Sequence, residues 1–423
     1  MLAVVALLPA VEDAETPQDR PAPVLRGFIP YTEVENDDTA VAVDGFKLLP
    51  LGRLEAGGRA WEFHPKALAG IALDSNPLMS PDQADSDLQT RVGLGFELRG
   101  IGRAGWSGGI DAMLRHQRYA ETTGRDFTGG DAKAQAVRTS QTGRFAATGS
   151  WERSAEPVID LPQQLERERF AAKAALSSET RGSRLQLEAG WDRLDYLEDG
   201  PGFDRDARDY QRWSAKGSWS LIGALDSLLG LELAGESVSR PPASTANPYD
   251  GITLGGRWRH ALGRRLASDL RLGACLQAYA DDTLGVSAND DRVLLSPAFD
   301  ARLIWAVDER STAVLGISHR LAEGVTASAN ASEMTALEAS LRLRLLDRLD
   351  AVGTLWYAHR VDSAPTGPSG TEQLDDAFVR GGLDYRLSNG LGVRLWTSWQ
   401  NHEAAISSDY RRSMVGLELV AAL

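Results

Sequence analysis

The sequence predicts an all-β protein, a closed antiparallel transmembrane β-barrel of about 18 strands (range 16–18), with long extracellular loops and short periplasmic turns. Three observations predict it. Segments of about ten residues that alternate with a period of two recur from residue 59 to 423, and a tilted strand of that length crosses the hydrocarbon layer. Their connections alternate between long and polar, and short, so one end of the barrel carries loops and the other only turns. One parity of each segment is apolar, with aromatics at its ends, and the other parity holds full charges. A soluble sandwich, a propeller or a solenoid would also repeat, but none gives that rhythm of connections with charges on the opposite parity. Lipid cannot hydrogen-bond a free strand edge, so such a sheet must close on itself.

The chain starts with an apolar run, Met1 to Ala10, ending in Leu8-Pro9-Ala10. Its length is that of the h-region of a secretory signal, and residues 1–10 are expected to be a signal-peptide remnant; the alternative is a plain hydrophobic N-terminus. Residues 11–58 are Pro-rich and acidic, with Glu33, Glu35, Asp37, Asp38 and Asp44 close together. Such composition builds little core, so this is expected to be an extension in the periplasm or a plug in the pore. The barrel takes residues 59–423.

The first segment runs from Trp61 to Asp74 and is followed by a loop, Ser75 to Ser86. Leu88 to Arg99 sets Thr90, Val92, Leu94, Phe96 and Leu98 against Arg91, Glu97 and Arg99, and Trp106 to Tyr119 sets Ile110, Ala112 and Leu114 against Asp111, Met113 and Arg115. After the loop Ala120 to Gly130, the segments Ala132 to Ser140, Phe145 to Trp151 and Phe170 to Ser177 are Ala-rich and alternate weakly. Stronger ones follow at Leu185 to Asp192, Trp213 to Leu221, Leu228 to Glu236, Ile252 to His260, Leu270 to Tyr279, Leu294 to Val307 and Thr312 to Arg320. Met334 to Leu346 and Leu349 to His359 lead to the clearest unit, Phe378 to Gln400, where Ser388-Asn389-Gly390 supplies the positive φ angles of a tight hairpin turn. Met414 to Leu423 is the last segment. An even strand count puts both termini on the turn side, hence in the periplasm.

With 43% hydrophobic and 25% charged residues the composition looks soluble, but only every second strand residue of a barrel meets lipid. No apolar run approaches the roughly 20 residues of a spanning helix. The single Cys275 rules out a disulfide framework and a thiolate metal site, and a net charge of -14 argues against nucleic acid as partner. No cofactor or metal is implied.

On the apolar parity, Trp106, Trp213, Trp258, Trp305, Tyr357 and Trp399 stand at strand ends, as an interfacial aromatic girdle requires. A barrel this wide leaves an aqueous lumen unless it is plugged. The charged parity would line it with Arg91, Arg99, Arg115, Lys216, Arg257, Arg271, Arg302, Arg342, Arg344, Arg380, Arg386 and Arg394, together with Asp111, Glu188, Glu232, Asp269, Asp300, Glu338, Asp384 and Glu418. Cross-strand ion pairs that stiffen the wall are the ordinary reason for such charges; a basic field favouring anions is the sharper one.

Gly100-Ile101-Gly102-Arg103-Ala104-Gly105 matches a dinucleotide fingerprint, but a strand follows where a helix would be needed, so it reads as a turn. His116, His319, His359 and His402 fall near loop-side strand ends with no nucleophile motif beside them, which reads as rim polarity rather than a hydrolase. Asp195, Glu198, Asp199, Asp204 and Asp206 are loop acids, either solvated or bridged by divalent cations to lipopolysaccharide.

The stretch Ala67-Leu68-Ala69-Gly70-Ile71-Ala72-Leu73-Asp74-Ser75-Asn76-Pro77 resembles the first strand of outer-membrane barrels of the "beta-barrel porin 2" type. In that family a strand tends to end in an aromatic followed by Asp-Asp-Asn; here Leu73 takes the aromatic position, and the chain ends in Leu423 where many such barrels end in Phe. The resemblance implies an outer-membrane location, at times beside exopolysaccharide machinery, and supplies no catalytic residue. The expected role is therefore a pore for small hydrophilic solutes. An exopolysaccharide conduit, or a plugged structural barrel that docks an envelope complex, are the alternatives; an enzyme is not expected. Outer-membrane lipid and lipopolysaccharide are the expected surroundings.

Overall fold

The computed structural model describes residues 41–43, 46–48, 60–78, 85–101, 105–157, 164–197, 209–223, 227–241, 248–262, 265–280, 293–308, 311–323, 331–362, 373–404 and 409–422. Residues 1–40 and most of 44–59, the loop acids Glu198, Asp199, Asp204 and Asp206, and Leu423 lie outside the described residues.

Two short strands, β1 (Val41–Val43) and β2 (Phe46–Leu48), form a small hairpin. Eighteen strands then close one antiparallel barrel. They are β3 (Ala60–Asp74), β4 (Asp87–Ile101), β5 (Trp106–Tyr119), β6 (Phe127–Thr139), β7 (Gly143–Pro157), β8 (Gln164–Glu179), β9 (Ser183–Tyr196), β10 (Tyr210–Ile222) and β11 (Leu228–Ser239). The second half is β12 (Tyr249–Ala261), β13 (Leu266–Tyr279), β14 (Val293–Ala306), β15 (Thr312–Glu323), β16 (Ala331–Leu346), β17 (Leu349–Asp362), β18 (Gln373–Ser388), β19 (Leu391–Ala404) and β20 (Tyr410–Ala422). Each strand pairs with its chain neighbour, and β20 returns to β3 from Met414↔Asp74 to Ala422↔Lys66. All eighteen expected segments are present, and each is hydrogen-bonded to a neighbour on both sides, as closure in lipid requires.

Both barrel ends of the chain, the start of β3 and the finish of β20, lie at the end that carries the short turns. There Asn389 and Gly390 join β18 to β19, with Gly390 at φ 73, a left-handed conformation that glycine adopts without a Cβ penalty. The opposite, loop end is less regular. The loop expected over Ala120 to Gly130 is shorter in the structure, because β6 already starts at Phe127, which leaves residues 120–126 around a 3-10 turn, Thr123–Arg125, between it and β5. Asp87 ties that turn down by accepting the backbone N–H groups of Ala120, Glu121 and Thr122.

At one place the wall parts. β14 and β15 pair only from Phe299↔His319 to Ala306↔Thr312. Beyond that point Leu321 and Ala331, which have the outward parity, pack instead on Cys275 and Tyr279 from the inner face of β13. Ser296 of β14 donates to Glu333 of β16 across the same gap at 3.2 Å. The loop end of the β15–β16 hairpin therefore leans into the barrel.

Candidate functional site

The outer face follows from the solvent it must meet. Its middle is aliphatic, with Leu94, Leu233, Leu254, Leu295 and Leu417 exposed. The six expected girdle aromatics all point outward and exposed, in two rows. Trp106, Trp258 and Trp305 stand near the turn end, and Trp213, Tyr357 and Trp399 near the loop end. Neighbouring rings extend the rows: Phe145 packs edge-on to Trp106 at 6.4 Å, and Trp191 meets Trp213 at 6.4 Å. An aliphatic band between aromatic rows is what a bilayer selects.

The inner face takes the other parity, and the structure places all twenty expected lining residues on it. Alternation along each strand turns a one-residue offset into a change of solvent, so this face carries the charges that the outer face cannot. They are gathered into groups. Arg394 holds Asp384 through Nε and Nη2 at 2.7 and 3.1 Å and lies 3.9 Å from Glu418, which accepts Arg91 at 3.2 Å. Across the barrel, Arg257 grips Asp269 with Nε at 3.0 Å, and Glu232 is shared by Lys216 at 3.2 Å, Arg257 at 3.8 Å and Arg271 at 3.9 Å. Arg302 meets Asp300 at 3.2 Å, Arg99 meets Glu97, and Asp111 accepts Lys66 at 2.6 Å. Glu188 accepts Lys173 at 2.9 Å, and Arg115 pairs with Asp131.

Asp192 is a further inward carboxylate that its parity predicts, whereas two central members of these groups, Asp350 and Asp74, are absent from the expected list. Asp350 is the hub for Arg342 at 2.8 Å, Arg344, and Arg386 at 4.0 Å. Its signal was its parity, two residues before Val352 on the same face and directly after a short turn. Asp192 gathers Arg169, Arg212 and the Tyr210 hydroxyl. Asp74 accepts Arg412 Nε at 3.0 Å and the Tyr119 hydroxyl at 3.1 Å, while Gln89 donates to that hydroxyl at 2.9 Å.

Asp74 and its neighbours form the clasp of the barrel. Asn76 donates through Nδ2 to the Arg411 carbonyl at 2.9 Å, Ser75 N–H donates to the Ser413 carbonyl at 2.9 Å, and Ser413 N–H donates back to Ser75 Oγ at 2.8 Å. The Asp-Ser-Asn stretch that carried the family resemblance thus joins the first barrel strand to the last.

The remaining sequence motifs do not converge. His116 and His319 bond Thr128 and Thr335 on the outer face, and His359 bonds Asp375 there, whereas His402 points inward to Asp376 at 2.7 Å and stacks on Tyr410. Among the described residues no group of His, Cys, Asp and Glu could hold a metal ion. Gly100 pairs with Trp61 near the end of β4 and Gly105, at φ 77, directly precedes β5; residues 102–104 between them lie outside the described residues. Asp195 is paired with Arg193 on the outer face.

The inner face is unevenly covered. A cavity lined by Arg144, Gln186, Glu188, Lys216, Glu232 and Arg271 opens on the wall from β7 to β13. Opposite it, the inner residues of β19, β20 and β3 are buried nearly throughout.

Residues 130–423 match the family model described as "Putative beta-barrel porin 2". No curated protein matches the chain. Among solved structures it is similar to OccK8 (OprE) of Pseudomonas aeruginosa, at 10% identity and a TM-score of 0.48 over 86% of this chain and 98% of that one. It is likewise similar to OccAB3 of Acinetobacter baumannii, at 10% identity and a TM-score of 0.47 over 86% of this chain and 99% of that one. A third is OccK2 (OpdF) of Pseudomonas aeruginosa, solved in complex with glucuronate, at 14% identity and a TM-score of 0.46 over 86% and 98%.

Proposed function

The chain belongs to the beta-barrel porin 2 family, and we propose that it is an outer-membrane pore for small hydrophilic solutes, weakly selective for anions, with both ends of the barrel chain on the periplasmic side. The observation that carries this is the charged inner face from β7 to β13. There Lys216, Arg257 and Arg271 share the one carboxylate of Glu232, Arg144 is exposed and Lys173 is partly so. Fixed charges on a water-filled wall raise the local concentration of counter-ions and so set the preference of a pore. Because most wall charges are paired, the preference is weak.

Planar-bilayer recording of the purified chain tests both parts. Steady conductance steps with a reversal potential on the anion side are expected in a salt gradient. A silent barrel would remove the pore, and a clear cation preference would remove the basic field.

A further inference from the structure

We infer that the hairpin β1–β2 lies inside the barrel, against the inner face of β3, β19 and β20, as a built-in filling that confines the open path to the side of β6 and β7, whose inner residues stay exposed. The inference concerns the placement of the hairpin and stands independently of whether the barrel conducts. β1 lies against β3 and β20, and β2 against β19 and β20. A hairpin touching those three strands has two faces to choose from, and burial distinguishes them. On the outer face Ile71, Leu395, Leu417 and Leu419 keep about half of their surface exposed, in the range of other outward leucines such as Leu187 and Leu272, so nothing rests on them. On the inner face Val420 and Ala422 are 0% exposed, Glu418 2%, Leu68 3% and Arg394 3%. Inner residues of β6 and β7, such as Lys133, Gln135 and Ser150, are exposed instead.

The chemistry of this patch also fits. Leu68, Met113, Val420 and Ala422 form an apolar cluster on the inner face, with a second one of Ala72, Trp396 and Met414 on β3, β19 and β20. A bare apolar patch in a water-filled lumen is unfavourable, and by sequence the hairpin is an apolar segment, Val-Ala-Val and Phe-Lys-Leu. Two three-residue strands do not hold together alone in water, so the hairpin needs such a support. On the same face of β3, His64 is 2% exposed, and among the described residues its ring nitrogens make no hydrogen bond, with Glu62 3.7 Å from Nε2. An inner-face side chain of β3 that water does not reach is what a covering segment produces.

Cysteine accessibility in a Cys275→Ala background tests the placement. Val420→Cys and Ser150→Cys are each labelled with a bulky hydrophilic maleimide in the folded, lipid-embedded full chain. We expect Val420→Cys to react more slowly than Ser150→Cys by on the order of tenfold or more, since labelling waits for local opening. Removal of residues 41–48 should erase the difference. The paired substitutions Val41→Asp and Val43→Asp, which keep the chain length, should do the same if the shortened chain does not fold. Equal labelling in the full chain, or protection that survives both changes, overturns the inference. In a conducting barrel, removal should also raise conductance roughly twofold or more, because a wide barrel without filling has an open lumen. Hairpin-dependent labelling in a silent barrel would defeat the pore and leave the placement standing.

Discussion

Along β19, β20 and β3 the inner face is buried from the turn end to the loop end, whereas along β6 to β9 the same face keeps Lys133, Gln135, Arg144 and Ser150 exposed. Both walls alternate identically and both carry charges, so strand pattern does not make the difference. What differs is how the charges are solvated. On the closure side Arg412 and Asp74 are 5% and 0% exposed and hold each other through several bonds, while Lys173 and Glu188 on the far side keep 25% and 30% of their surface. A buried pair is desolvated and depends wholly on its partner, whereas an exposed one is screened and nearly free to part. The closure side thus has the character of a protein interior and the far side that of a channel wall.

The largest expected effect breaks that contrast if it fails. Asp74→Ala leaves Arg412 charged and buried, and should destabilise the barrel by about 3–5 kcal/mol in urea unfolding from lipid vesicles. Glu188→Gln should cost under about 1 kcal/mol in the same measurement. Equal costs would mean that the two walls are solvated alike.

The next test confines the difference to the inner face. Leu417→Arg on the closure side and Leu233→Arg on the far side both put a charge into the middle of the apolar band. Each should cost about 2–4 kcal/mol, with no difference between them, because lipid is the same solvent all round. A smaller cost at Leu417 would show its outer face to be covered.

Packing gives a smaller effect. A Cβ on Gly416 would sit 2.5 Å from the indole of Trp396, which is buried at the closure and overlaid by Arg380 at 4.9 Å. Gly416→Ala should therefore cost about 1–3 kcal/mol, the range for overpacking a filled core. Gly190 faces the lumen on the far side, and its Cβ would meet mainly the hydroxyl of Ser214, which can rotate away. Gly190→Ala should stay within about 0.5 kcal/mol, as surface changes do.

The same contrast explains what the sequence made legible. Face assignment was readable because lipid enforces apolar side chains on every second residue, so the inward or outward parity of each side chain could be read by counting. Strand ends were harder where both parities are charged. β8 begins at Gln164 rather than at Phe170, because Glu166, Arg167, Glu168 and Arg169 show no contrast between faces; Arg153 and Glu166 pair above the apolar band, where water removes the constraint. Pairing partners were not readable at all across the closure. Arg91 and Glu418 stand 327 residues apart, and their meeting depends on the register of β20 on β3, which no local pattern specifies. The inward lean of β15 and β16 is likewise a tertiary choice, made where Leu321 finds Cys275 and Tyr279.

The smallest effect bears most directly on transport. Lys216 is 22% exposed on the far wall and shares Glu232 with Arg257 and Arg271, so reversing it leaves that carboxylate with one fewer cation and adds a second negative charge. Lys66 on β3 is 2% exposed and is matched by Asp111 at 2.6 Å, so from the lumen the two act as a short dipole rather than as a charge. Screening over about a Debye length removes a dipole's field faster than that of a net charge. Lys216→Glu should move the reversal potential in a salt gradient toward cations, changing the permeability ratio by roughly twofold. Lys66→Gln should shift it by less, and in the same direction only to the extent that Asp111 is left unmatched. A larger shift from Lys66 would place the ion path along the closure, and with it the filling on the opposite wall.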